Sequence, residues 1–289
     1  MNIKETLIKS LKSAFLILKL IIPIYILADI LYFYNILSYI SFLIEPFTSF
    51  IGLPKEAALA IISGMFLNLY AAIAFAAPLD MTPHQWSILA VFLGVCHSLI
   101  VESVIMKKIG ISNKYSYSLR FLAGLLLAYI TYILPSRLFD TNISNIETFN
   151  KIIYNDIFSL LTNSLYEATL LSIKIILLIT ILIFIMDFIK TRDFIKKSQK
   201  NISKSFSILV GVFLGITYGA GILIEEVKSN NISKKDIFYI ATFLSICHAI
   251  IEDTLLFVIF GADFTMVIAI RTIGAIILAY ILTALVTLP

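Results

Sequence analysis

Charge is scarce in this chain. Asp, Glu, Lys and Arg supply 14% of its residues, against roughly 25% in an ordinary soluble domain. Mean hydropathy is +0.99, and the apolar residues gather into eight runs of about 20, at 12–34, 57–78, 87–106, 117–135, 165–189, 206–224, 237–260 and 264–288. Each is long enough to cross ~30 Å of hydrocarbon as a helix. Long strands of alternating polarity are missing, which argues against an outer-membrane barrel. Cysteine is almost absent: Cys96 and Cys247 both lie within apolar runs, so a secreted-type disulfide framework is not indicated. No G-x-x-x-x-G-K-[ST] stretch offers a phosphate-cradling loop. The net charge is only +4, and Lys and Arg cluster at the ends of the runs, a pattern that records topology and gives no reason to expect a nucleic-acid partner. The first run follows a basic head without a small-x-small cleavage site, so it is expected to be a retained helix. The fold class expected is all-α: a polytopic helical protein of about 8–10 membrane segments, multi-pass in the inner (plasma) membrane.

What the chain does have is an internal echo. At a constant offset of 151 residues Phe92-Leu93 falls on Phe243-Leu244, Cys96-His97 on Cys247-His248, Gly110 on Gly261, Arg120 on Arg271 and Leu127-Ala128-Tyr129-Ile130 on Leu278-Ala279-Tyr280-Ile281. Upstream, Gly64 falls on Gly215. Repeats in membrane proteins commonly face one another across a site near the midplane. Four runs per half would make the halves parallel. The charges favour an inverted pair: the loop carrying Lys107, Lys108 and Lys114 has a partner near 258–267 with only Asp263, and the basic loop 190–204 has a partner at 39–53 with only Glu45. Inversion requires a re-entrant or broken segment in each half, for which 46–56 and the glycine-rich 211–221 are candidates. The organisation expected is an N-terminal helix and amphipathic segment (1–50), a first repeat (51–135), a polar linker (136–164), a helix with a basic loop (165–204) and a second repeat (205–289).

Ionisable residues inside such runs cost ~2.5–3.5 kcal/mol each and tend to face the bundle interior. His97, Glu102 and Arg120 stand in the first half, and His248, Glu252, Asp253 and Arg271 in the second. In a regular helix His248 shares a face with Glu252, whereas His97 and Glu102, five apart, converge only if the helix is broken. Histidine with carboxylate suits a coupling proton, and His97, Glu102, His248 and Asp253 form a candidate set for a borderline divalent metal. The two arginines fit either snorkelling to the headgroups or pairing with the carboxylates or an anionic substrate. Asn68 and Tyr70 are candidates to line a polar path, while Asp29 and Glu225-Glu226 fit an interface. The thiols fit a packing role. A purely structural alternative makes all these polar pairs helix glue.

The stretch "LPKEAALAIISGMFLNLYAAIA" at 53–74 followed by "CHSLIVE" at 96–102 resembles the nucleoside-recognition or Gate domain family, which includes spore-maturation membrane proteins and the membrane part of ferrous-iron transporters. Pro54, Glu56, Ala57, Ala58, His97 and Glu102 carry the likeness. His248 and Asp253 repeat the spacing in the second half, where the Pro-x-Glu start is absent. The resemblance implies two Gate-like domains around a central pathway.

The expected function is therefore transport of a small polar solute or ion through a midplane site containing His97, Glu102, His248, Glu252, Asp253, Arg120, Arg271 and Asn68, passive or coupled to a proton, sodium or a divalent metal ion. No resident cofactor and no enzymatic activity are expected. The alternatives are a divalent-metal permease, a non-transporting assembly partner of a second membrane subunit or of its own copies, and an intramembrane enzyme using Ser98, Ser103 or Thr254.

Overall fold

A computed structural model describes residues 3–36, 44–139, 156–190, 211–212 and 233–285, and among these every regular element is helical. Among the described residues six helical stretches are long and apolar enough to span a membrane: Ile3–Phe33, Pro83–Lys108, Asn113–Ile133, Ile157–Ile189, Lys234–Val258 and Phe264–Leu285. They form the spanning helices of an all-α polytopic membrane protein.

The first, α1 (Ile3–Phe33), packs against α8 (Ile157–Lys190). The pair is antiparallel: Thr6 Oγ1 donates to Asp187 Oδ2 at 2.9 Å at one end, and Ser164 Oγ donates to Asp29 Oδ2 at 2.5 Å at the other. Asp29 is buried in the contact between two outer helices. Leu7, Leu11 and Phe15 of α1 point outward, where lipid is the natural partner of apolar side chains. α8 begins at Ile157, inside the segment expected to be linker.

Between α1 and the second span the chain makes a short helix α2 (Glu45–Phe50), a left-handed turn at Gly52 (φ 71°) and a 3₁₀ turn (Lys55–Ala57). Two short helices follow, α3 (Ala58–Phe66) and α4 (Leu69–Ala76), separated at Leu67-Asn68, with Asn68 Oδ1 capping α4 by accepting from Ala71 N at 3.0 Å. They fold back on each other. A Cβ built on Gly64 would stand 3.0 Å from Ala72 Cβ, whereas eight residues of continuous helix rise ~12 Å. The apolar run 57–78 is therefore a helical hairpin and not a crossing. The re-entrant candidate at 46–56 only leads into this hairpin; the other, 211–221, lies outside the described residues beyond Gly211 and Val212.

Two spans are interrupted. α5 (Pro83–Cys96) and α6 (Leu99–Lys108) are separated at His97-Ser98, and α9 (Lys234–Ile246) and α10 (Ile250–Val258) at Cys247–Ala249. Each interrupted pair is followed by an unbroken span, α7 (Asn113–Ile133) and α11 (Phe264–Leu285). The starts Pro83 and Lys234, Leu99 and Ile250, Asn113 and Phe264 all stand 151 residues apart. Local signals account for several of these starts: Thr82 and Gln85 form a reciprocal capping box on α5, while Ser112 and Ser233 cap α7 and α9. Every residue of α5 from Trp86 to Cys96 is buried, and the broken spans contact each other and both unbroken partners. They are the centre of the bundle, and the breaks lie inside it.

The hairpin is directly testable. In a Cys96→Ser/Cys247→Ser background, Lys55→Cys and Asp80→Cys, which flank the two arms of the hairpin, should be labelled by a membrane-impermeant thiol reagent from the same side of the membrane. Labelling of the two from opposite sides would return 57–78 to a continuous crossing.

Candidate functional site

Each helix break frees backbone groups that then need partners. His97 is extended (φ −78°, ψ 161°) and Ser98 is left-handed (φ 46°), which turns the Ser98 amide away from α5 and onto Gly64 O at 2.9 Å. Ser98 Oγ donates to Leu67 O at 3.1 Å, so the hairpin tip holds the break from both sides. In the second broken span Ala249 takes the same left-handed position (φ 43°), and its amide meets Gly211 O at 3.4 Å. Gly211 does the work of Gly64: a Cβ on Gly64 would strike Leu93, and one on Gly211 would strike Leu244; Gly215, the partner of Gly64 at the constant offset, lies outside the described residues. Gly64 and Gly211 stand 147 residues apart, so the constant offset does not extend upstream as the sequence suggested.

The freed carbonyls are taken by the two arginines. Arg120 on α7 donates through Nε to Val95 O and through Nη2 to His97 O, both at 2.7 Å. Arg271 on α11 donates through Nη2 to Gly94 O at 2.6 Å and to His248 O at 3.0 Å. Gly94 O is available because its ordinary helical donor, Ser98 N, has left it. Gly94 also makes the approach possible, since a Cβ there would lie 2.7 Å from the Arg271 guanidinium carbon. Both arginines are fully buried. Snorkelling is thus overturned: these side chains turn inward because the breaks supply acceptors and the carboxylates supply charge.

Glu102 is the hub. On a regular helix it would sit well around from His97, but the break rotates α6 so that Glu102 Oε1 lies 3.0 Å from His97 Nε2. Its other oxygen, Oε2, lies 2.8 Å from Arg120 Nη2 and 3.1 Å from His248 Nε2. Neither Oε2 contact has a hydrogen-bond angle, leaving both Glu102 Oε2 and His248 Nε2 buried without a hydrogen-bond partner. Both rings are oriented by their other nitrogen: His97 Nδ1 stands 2.8 Å from Leu93 O, and His248 Nδ1 stands 2.8 Å from Leu244 O. The ring centroids are 5.3 Å apart. Asp253 pairs with Arg271 Nη2 at 3.4 Å.

The structure thus gathers His97, Glu102, Arg120, His248, Asp253 and Arg271 into one buried cluster. Glu252 is not part of it. It is exposed on α10 while Asp253 turns inward, because the left-handed step at Ala249 resets the helical phase on which the His248–Glu252 pairing relied. Asn68 is a helix cap at the hairpin tip, and Tyr70 on α4 is within electrostatic reach of Glu252 and Asp253. The hydroxyls considered for catalysis are scattered: Ser103 pairs with Ser116 at 2.8 Å, Ser98 braces the hairpin, and Thr254 Oγ1 is buried without a hydrogen-bond partner. Glu225-Glu226 lies outside the described residues. Gly94 carries no signal of its role in the sequence, although its missing side chain is what admits the Arg271 guanidinium.

Donor atoms of His97, His248 and Asp253 all fall within 4.8 Å of one another, close enough to share a cation. The charge around them decides which cation fits. Among the described residues two buried guanidiniums touch the two carboxylates of the cluster, so with neutral imidazoles their formal charges cancel. A dication would add two charges beside two fixed positive ones, whereas a monovalent cation adds one.

Cutting a buried pair leaves an uncompensated charge and typically costs about 3–5 kcal/mol. Arg120→Met should therefore lower the Tm of the detergent-solubilised protein markedly, and adding Glu102→Gln should recover part of the loss. An unchanged Tm in Arg120→Met would remove Arg120 from the pair.

A family model described as nucleoside recognition (Gate) matches residues 14–113, a stretch running from α1 through the hairpin and the first broken span to the start of α7. The chain is also similar to the uncharacterized membrane protein YvoD of Bacillus subtilis (strain 168), at 28% identity over 271 residues, covering 90% of this chain and 87% of that protein. No solved structure matches it.

Proposed function

We propose that this protein is an inner-membrane transporter of Gate type in which two repeats, inverted with respect to each other, meet at the buried cluster and pass a small polar solute or ion through it. The matched family model and the membrane-protein relative support the class. The observation that carries the reading is the pair of helix breaks bringing two arginines, two carboxylates and two histidines together inside the bundle. Four ionised side chains at ~2.5–3.5 kcal/mol each amount to on the order of 10 kcal/mol of insertion cost, comparable to the ~5–15 kcal/mol stability of a whole domain. Apolar residues would join the same helices at least as well. Broken helices around a charged midplane site are, by contrast, how transporters expose backbone and charge to a passing solute. The route is passive or ion-coupled, and the surrounding partner is the bilayer.

A pathway must be reachable by water, and helix glue need not be. In the Cys96→Ser/Cys247→Ser background, Ser98→Cys and Asn68→Cys should each react with a charged, membrane-impermeant methanethiosulfonate reagent, applied separately to right-side-out and inverted vesicles. Reaction from at least one side is expected. Folded protein in which both cysteines resist from both sides would make the cluster a structural joint.

A further inference from the structure

Where the hydrogens stand in the cluster follows from donor and acceptor chemistry. A backbone carbonyl oxygen only accepts, so His97 Nδ1 facing Leu93 O and His248 Nδ1 facing Leu244 O must both carry hydrogen. In its neutral form each ring then presents a bare lone pair at Nε2. An ionised carboxylate is likewise acceptor-only, yet His97 Nε2 and Glu102 Oε1 approach to 3.0 Å. A bare lone pair and a carboxylate oxygen repel at that distance, and a proton on Nε2 turns the repulsion into the attraction of an ion pair.

We propose that the cluster binds one excess proton as a ligand, carried on His97 Nε2 beside Glu102 Oε1, with His248 Nε2 beside the other carboxylate oxygen as a second seat. The inference rests on the transporter reading and names the coupling ion of that site. His248 Nε2 is the buried, unpartnered atom such a seat requires, 3.1 Å from Glu102 Oε2. The groups facing the histidines set the stoichiometry. Glu102 from α6 and Asp253 from α10 supply two negative charges, Arg120 from α7 and Arg271 from α11 two positive ones. One proton leaves the cluster at +1, and a second would raise it to +2 in a fully buried place. Among the described residues, Tyr70 from α4 and the buried thiols of Cys96 and Cys247 add hydroxyl and sulfhydryl groups to the cluster and no further fixed charge. The proton is taken from water and returned to water, and no covalent bond is made or broken. His97 sits in the first broken span and His248 in the second, so moving the proton between seats changes which span is tied to Glu102.

The chain has three histidines, which makes selective nitrogen-15 histidine labelling and solid-state NMR in proteoliposomes decisive. His84, whose Nε2 lies 2.8 Å from Thr131 O, supplies the opposite tautomer as an internal marker. At about pH 8, above the ~6.5 of an isolated imidazole, wild type should show one ring's worth of doubly protonated signal beside a neutral ring protonated at Nδ1. Glu102→Gln should convert both cluster rings to neutral Nδ1-protonated forms, and His248→Gln should retain the doubly protonated signal on His97. Two neutral cluster rings in wild type would overturn the proposal, as would a doubly protonated signal that survives Glu102→Gln. Zinc ions shifting both Nε2 resonances at micromolar concentration would overturn it in favour of a metal site. Two neutral rings together with water-accessible Ser98→Cys would discard the proton and keep the pathway; a doubly protonated ring in a site sealed to the reagent would do the reverse.

Discussion

Everything at the centre of this bundle depends on a single carboxylate reaching two imidazoles and a guanidinium at once. Glu102 can do so only because the helix that carries it is broken at His97-Ser98. The break in turn strands the carbonyls of Gly94, Val95 and His97, which buried arginines then cap. Neither feature stands without the other. An unbroken helix would leave Arg120 and Arg271 without backbone acceptors, and a break without arginines would leave bare carbonyls inside the protein, each at a cost of about 1–3 kcal/mol.

The two broken spans are alike in geometry and unlike in reach. Ser98 and Ala249 occupy the same left-handed turn, and each following helix places a carboxylate at the fifth residue after the histidine. Glutamate, one methylene longer than aspartate, spans from its own histidine to that of the other unit. Asp253 instead stays with Arg271, itself tied to Gly94 of the opposite unit. At the cluster, contact between the units runs through Glu102–His248 in one direction and Arg271–Gly94 in the other. Both involve residues at a break, so the relative position of the spans and the charge state of the cluster are not independent.

Much of this was legible in the sequence. Apolar run lengths gave most of the spans, serine and threonine caps marked several helix starts, and the recurrence of Cys-His and Arg pointed to the cluster. What escaped did so for definable reasons. The run 57–78 has the length and polarity of a crossing, and only Asn68 interrupts it; a polar residue in an apolar run is compatible with a path-lining position as well as with a hairpin tip. Glu252 was favoured over Asp253 as the partner of His248 on regular-helix geometry, which fails because an alanine, with no sequence signature for a left-handed turn, breaks the helix between them. Gly211 was overlooked for Gly215 because glycines abound in 211–221, and a gap-free offset cannot register a shift of about one helical turn.

The hairpin gives the break its mechanical context. Ser98 is bonded through its amide to Gly64 and through its hydroxyl to Leu67, one on the first arm of the hairpin and one at its tip. Gly64 can approach because it has no side chain to collide with Leu93. The hairpin and the α5–α6 break are therefore a single unit in this conformation: displacing the tip means giving up two hydrogen bonds at the residue that sets the His97 backbone, and with it the direction of the ring that faces Glu102. A solute that enters beside the tip and a change in charge on Glu102 would act on the same turn of backbone from opposite sides. In the transporter proposed above, that shared dependence would couple movement through the bundle to the occupancy of the cluster.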